Sequence, residues 1–222
     1  MGSAVPKQFL ELCGRPVLAH TLGIFDSHPE IDGIYLVVNE DYVGRAEELV
    51  RRYGIAKLRG IAPGGDCVQD SIYSGLRYAA EREPSDAIAL LHDGVRPYVT
   101  AEVISANIEA VAKHGNAITY TPCYETIVLS HDGRSADAIP SRSESFTAQA
   151  PQSFRLGDIL AAHDRIRSRP ERYEKMVDQA TICFTLGIPM HLVPGNRGNV
   201  KITTPEDIVT LEALLKWRGA HG

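Results

Sequence analysis

Hydrophobic and polar positions alternate along this chain in two rhythms. Apolar residues recur at helical spacing over residues 17–25, through Val17, Leu18, Leu22 and Phe25. The same spacing returns over residues 42–53, where Gly54 stops it. Between them, Ile34, Leu36, Val37 and Val38 form the core of a strand predicted over residues 31–38. A short strand over 56–61 then delivers the chain into Pro63-Gly64-Gly65-Asp66, and the next helix sets Val68, Ile72, Leu76 and Ala79 on one face. Residues 87–91 are apolar without alternation, the pattern of a strand buried on both faces in a parallel sheet wrapped by helices. Thr100 is placed to cap a helix that buries Val103, Ile104, Ile108 and Val111 and ends at Gly115. A strand over 116–122, helices over 151–167 and 178–186, and a strand over 189–193 follow. Pro205 takes the first position of a last helix capped by Thr204, with Ile208, Leu211, Leu214 and Leu215 on its inner face.

Strands and helices in this alternation predict βαβ units, hence an α/β fold with a mainly parallel sheet, in one domain over residues 1–222. The rhythm breaks between 123 and 149. Short β-like pieces there flank His131-Asp132-Gly133-Arg134, a hairpin-turn signal, so this stretch reads as a projecting arm or, on pattern alone, as a plain surface loop.

Composition narrows the partners. A formal net charge of −5 gives no basic footprint for nucleic acid. Cys13, Cys67, Cys123 and Cys183 form no CxxC pair, which argues against zinc and against a disulfide framework. The opening Met1-Gly2-Ser3 stretch carries no apolar signal region and no run approaches bilayer length, so the expectation is a cytoplasmic protein with no membrane partner.

Open α/β sheets present their functional groups at the carboxyl ends of strands. The apolar strand at 87–91 runs into His92-Asp93-Gly94, then Arg96 before Pro97. A lone carboxylate there suits Mg²⁺, which keeps waters and takes other ligands from substrate phosphates. Lys7, Arg96 and Lys201 all lie beside expected sheet ends, and Gly64-Gly65-Asp66 offers backbone amides without an intervening Cβ. Acid, cations and glycine loops together fit phosphoryl or nucleotidyl transfer. The phosphate-binding GxxxxGK[ST], dinucleotide GxGxxG and hydrolase GxSxG patterns are absent. The plainer alternative makes Asp93 a turn cap and leaves Arg96 and the lysines as solvated surface charges.

Six blocks occur in one order: Pro6-Lys7-Gln8-Phe9-Leu10, Gly64-Gly65-Asp66 with Asp70-Ser71, His92-Asp93-Gly94-Val95-Arg96-Pro97, Glu125-Thr126-Ile127, Ala150-Pro151-Gln152-Ser153-Phe154, and Asn199-Val200-Lys201-Ile202-Thr203-Thr204-Pro205-Glu206-Asp207. Together they resemble the family of 2-C-methyl-D-erythritol 4-phosphate and D-ribitol-5-phosphate cytidylyltransferases across nearly the whole chain. The resemblance implies a Rossmann-like three-layer α/β/α nucleotidyltransferase fold with a projecting β-arm. By the same resemblance, Lys7 stabilises the triphosphate and the α-phosphorus, Arg96 belongs to the catalytic set, and Lys201 sits near the phosphates. Gly65, Asp66 and Ser71 hold cytosine and ribose, Asp93 binds Mg²⁺, and Gly94 lies beside the nucleotide. Thr126 and Arg142 grip the polyol phosphate from the arm, across a homodimer.

Departures accompany the match. Cys67, Val68 and Gln69 occupy the interval where the family carries an arginine, and Ala150 stands for its usual threonine. The family also begins with a strand and a Gly-rich loop ahead of the equivalent of Met1, from which the sequence reads as a shortened, weakly active and poorly stable version. That same feature supports a competing reading, a CTP-binding homologue that acts as an interaction module with little turnover. Thr126-Ile127-Val128, without the lysine usual in methylerythritol enzymes, and Ile139-Pro140-Ser141-Arg142 lean the substrate toward ribitol 5-phosphate.

Overall fold

The computed structural model describes residues 5–221, the side chain of His221 excepted. A 3₁₀ turn at Lys7–Phe9 leads to strands β1 (Glu11–Leu12) and β2 (Arg15–Pro16), helix α1 (Val17–Ser27), β3 (Ile34–Val38), α2 (Val43–Tyr53), β4 (Leu58–Pro63) and α3 (Val68–Ala80). Then come β5 (Ile88–Leu91), α4 (Ala101–His114), β6 (Asn116–Pro122), β7 (Phe146–Arg155), α5 (Leu156–Arg167), α6 (Pro170–Tyr173), α7 (Gln179–Leu186), β8 (Leu192–Pro194) and α8 (Pro205–His221). Helix ends fall where the punctuation predicts: Gly54 and Gly115 close α2 and α4 in the left-handed region, at φ 64° and 87°.

Two sheets carry the α/β architecture. β3 pairs with β4 in parallel, and the larger sheet has the order β5-β7-β6-β8. β5, β6 and β8 share one direction and β7 alone opposes them, so the sheet is mixed. Residues 151–155 were expected to open a helix; they are the second half of β7, and the helix starts at Leu156. A residue paired on both sides of a sheet buries every side chain in turn, and residues 150–154 are buried without a break, a run whose length alone does not separate helix from strand. Two other expectations need correction. All four residues of β5 are only half-buried, because β5 pairs with β7 on one edge and, among the described residues, with no strand on the other. On α3 it is Gln69 that is buried, whereas Val68 is 58% exposed.

Three layers result. Leu76 of α3, Ile159 and Ile166 of α5 and Ile182 of α7 cluster with Ile118 and Phe154 on one face of the larger sheet. Ala110 and Val111 of α4 cluster with Ala117 and Val193 on the other. A further cluster joins Leu12, Val17, Val95, Ile202 and Leu211, bringing the β1–β2 hairpin, the turn after β5, the segment before α8 and α8 itself to one place. Of the stretch expected as an arm or surface loop over 123–149, residues 146–149 belong to β7; the pairing within the rest is a single bridge, Leu129 to Ala138, closed by a turn in which Asp132 accepts from Arg134 N and Ser135 N. Most residues of 123–145 are exposed, the larger apolar side chains Tyr124, Val128, Leu129 and Ile139 among them. Among the described residues no helix is long and apolar enough to cross a membrane.

Candidate active site

β5 ends at Leu91 and the chain turns, with Arg96 N donating to Asp93 O at 3.1 Å. This turn folds Arg96 back onto the acid: its Nε donates to Asp93 Oδ2 at 2.7 Å, while Lys201 Nζ donates to Asp93 Oδ1 at 2.8 Å. Lys201 arrives from 108 residues away because Ile202 N donates to Val95 O at 3.0 Å, pinning the segment before α8 alongside the turn. Burial pushes the Asp93 carboxyl up, but the hydrogen bonds and charges of Lys201 and Arg96 outweigh it and hold it below the ordinary carboxylate range. Asp93 is therefore ionised at neutral pH, flanked by two fixed cations.

The neighbours of Asp93 are seated from outside the turn. Thr21 of α1 donates its hydroxyl to Gly94 O at 3.0 Å, and a Cβ on Gly94 would lie 3.1 Å from Leu18 Cδ1. His92 Nε2 donates to Arg96 O at 3.2 Å, and burial pushes its imidazole down to about 4, so the ring is neutral.

The glycine loop lies at the carboxyl ends of β3 and β4, where Gly64 N donates to Val38 O at 2.7 Å. Gly65 is required by contact: a Cβ there would sit 2.4 Å from Asp70 Cβ. Ser71 Oγ accepts from Gly65 N at 3.0 Å and donates to Cys67 O at 3.0 Å, bracing the loop onto the start of α3. Cys67 caps that helix, its Sγ accepting from Asp70 N. Asp70 in turn pairs with Arg167 of α5 and accepts from Tyr173 OH at 2.9 Å. Asp66 is exposed on the loop.

The fold thus gathers Asp93, Gly94, Arg96 and Lys201 at one point, and Gly65, Asp66 and Ser71 on one loop. It does not bring the other expected residues into contact with them. Lys7 opens the 3₁₀ turn, near Phe9, which packs in a cluster with Leu36 and Val38, and it makes no ion pair with Asp93 among the described residues. Thr126 and Arg142 stand exposed on the arm, and neither bonds to the Asp93 cluster among the described residues. Sequence reasoning gave no role to Thr21, Asp70 or Asn199. Asp70 and Asn199 stood inside quoted blocks; Thr21 gave no signal, since its partner is 73 residues away. Among the described residues no three His, Cys, Asp or Glu side chains group as a metal site.

Comparison with known proteins identifies the family. Residues 1–217 match the family described as IspD: 2-C-methyl-D-erythritol 4-phosphate cytidylyltransferase. A ribitol-5-phosphate cytidylyltransferase of Streptococcus agalactiae serotype V is 38% identical over 209 residues, covering 94% of this chain and 86% of the relative. A 2-C-methyl-D-erythritol 4-phosphate cytidylyltransferase of Syntrophotalea carbinolica is 39% identical over 220 residues, covering 99% and 92%. The crystal structure of a 4-diphosphocytidyl-2C-methyl-D-erythritol synthase from Anaerococcus prevotii superposes with a TM-score of 0.85 at 28% identity, over 97% of this chain and 92% of that one. With a family match over almost its whole length and an acid held between two cations at the end of the expected strand, the chain belongs to the IspD family of cytidylyltransferases, and is a nucleotidyltransferase.

Proposed function

We propose that this enzyme transfers the cytidylyl group of CTP to a polyol phosphate, D-ribitol 5-phosphate ahead of 2-C-methyl-D-erythritol 4-phosphate, in the cytoplasm. The observation that carries the reading is the Asp93 carboxylate with Arg96 and Lys201 fixed on its two oxygens. A phosphate oxygen of the polyol phosphate attacks the α-phosphorus, the bond from that phosphorus to the bridging oxygen breaks, and pyrophosphate leaves. The nucleophile is already an anion, so no side chain need remove a proton. Positioning and charge neutralisation carry such a step. Arg96 and Lys201 supply preorganised positive charge, Lys7 adds to it at the triphosphate, and the Gly64-Gly65-Asp66 loop braced by Ser71 offers its amides and Asp66 to the nucleoside.

Mg²⁺ bound with the triphosphate would supply further charge neutralisation. Asp93 fits it as a single protein ligand, since each of its oxygens has a lone pair beyond the one used by Arg96 or Lys201. The polyol phosphate falls to the arm. Tyr124, Val128, Leu129, Ile139 and Phe146 are all exposed along it, an apolar content that a second copy of the chain would cover. In that isologous dimer, Thr126 and Arg142 reach the neighbour's site. Ile127 and Val128 after Thr126, in place of a lysine, favour ribitol 5-phosphate.

The test is pyrophosphate release from CTP and Mg²⁺ with each polyol phosphate in turn, beside light scattering. Faster release with ribitol 5-phosphate from a dimer is expected. Faster release with the methylerythritol phosphate reverses the substrate assignment. No release with either supports the CTP-binding module instead.

A further inference from the structure

Asn199 is fully buried, and it meets the ion cluster through its backbone while its side chain is spent elsewhere. Its backbone carbonyl accepts from Arg96 Nη1 at 2.8 Å, so the guanidinium is gripped on two sides, by Asp93 at Nε and by Asn199 at Nη1. Its side chain faces the other way: Nδ2 donates to Ala150 O at 2.5 Å. That contact fixes the amide's orientation, because the flipped form would set two oxygens against each other. Its backbone N–H donates to Asn196 O at 3.0 Å, and Lys201 follows two residues later. Ala150 lies where the β6–β7 register shifts: Ile118 opposes Gln152 and Tyr120 opposes Ala148, leaving Thr119 opposite residues 149–151. The base of the arm thus meets the segment of the ion cluster through the Asn199 carboxamide, beside a longer bond from Gln149 Nε2 to Asn196 O at 3.4 Å.

We infer that Asn199 is a positioning residue, which holds Arg96 and Lys201 in register on Asp93 by tying their segment to the arm-bearing strand at Ala150. The Ile202 N bond to Val95 O holds the far end of the segment against the turn, and Asn199 holds the end that carries the carbonyl on Arg96. Arg96 is a planar fork whose donors leave in fixed directions, so displacing the Asn199 carbonyl tilts the fork on Asp93. Lys201 is carried by the same short segment and moves with it. The charge that these cations offer to the transferring phosphoryl group depends on placement within a fraction of an ångström. The buried Asn199 Oδ1 accepts no hydrogen bond, so the side chain is held by its donor alone.

The inference rests on the ion-cluster reading of the active site, and the test separates the two. Wild type, Asn199→Ala, Arg96→Lys and the double variant are compared in steady-state cytidylyl transfer, with Ile202→Val, buried in the same segment, as a packing control; Asn199→Ser replaces the alanine variant where that does not fold. Asn199→Ala should lower kcat by about ten- to a hundredfold with the KM for CTP within about threefold. In the Arg96→Lys background, where the fork is already gone and only the displacement of Lys201 remains, the same substitution should lower kcat by a clearly smaller factor. Ile202→Val should keep its turnover at a comparable loss of thermal midpoint. Equal factors in both backgrounds, or an equal loss of kcat in Ile202→Val, overturn the positioning role alone. Full turnover in Arg96→Lys overturns the ion-cluster reading and this inference with it.

Discussion

Replacing Asp93 with asparagine leaves Arg96 and Lys201 in place and removes the charge that holds them together. The Arg96 side chain is 14% exposed and that of Lys201 37%, against 28% for Asp93. Stranding one partner of a fully buried ion pair costs about 3–5 kcal/mol. Here water reaches Lys201 and screens it, which brings the expected loss down to about 2 kcal/mol. For a domain of this length that lowers the thermal midpoint by about 4–8 °C. Turnover should fall by about a hundred- to a thousandfold, the scale of losing a preorganised group facing developing charge, and extra Mg²⁺ should not restore it. The decisive sign lies in a second substitution. Lys201→Met added to Asp93→Asn removes one of two repelling cations, so the double variant should melt about 2 °C or more above Asp93→Asn, while Lys201→Met alone should melt below wild type. Calorimetry of the four proteins decides it. A double variant less stable than Asp93→Asn would refute the view that the acid organises the cations.

Gly65→Ala should raise the KM for CTP at least about tenfold with little change in melting, because the new Cβ meets Asp70 Cβ at 2.4 Å and the exposed loop must move. Arg142→Lys should raise the KM for the polyol phosphate far more than that for CTP, since an ammonium lacks the bidentate fork; a shift in the CTP value instead would move Arg142 to the nucleotide side. His92 is held neutral to about 4, whereas the unfolded chain takes up a proton near the ordinary 6.5. Its contribution to stability is therefore present above about pH 6.5 and lost as the pH falls toward 4, by up to about 3 kcal/mol. Urea titrations of wild type and His92→Asn at pH 7 and pH 5 check this, the variant showing the shallower pH dependence.

The chain spells out what local spacing controls. Residues 116–122 and the stops at Gly54 and Gly115 fall where the pattern puts them, and Asp93, Gly94 and Arg96 stand at a strand end as expected. What the sequence could not show is decided at long range. The first half of β7 was lost in the arm, and its second half read as helix, because its ladder partners sit in β5 and β6. Val68 was placed inward, whereas Gln69 is the buried residue of that first turn and Val68 faces out. The two cations on Asp93 were named as separate candidates, and long-range contacts, Ile202 N on Val95 O and Arg96 Nη1 on Asn199 O, make them one cluster.

The division of the strands into two ladders has a thermodynamic consequence. β3 and β4 share one apolar core with α1 and α2, while β5, β6 and β7 share another with α5 and α7, and among the described residues no backbone ladder joins the two. They are tied instead by side chains such as Thr21 on Gly94 O and Leu76 of α3. The glycine loop hangs from the first ladder and the Asp93 cluster from the second. A nucleotide held by both acts as a clasp across the seam. At a hundred times its Kd it stabilises the whole by about 2.7 kcal/mol, and that protection should concentrate in the amides of β3 and β5, whose exchange slows together when CTP binds.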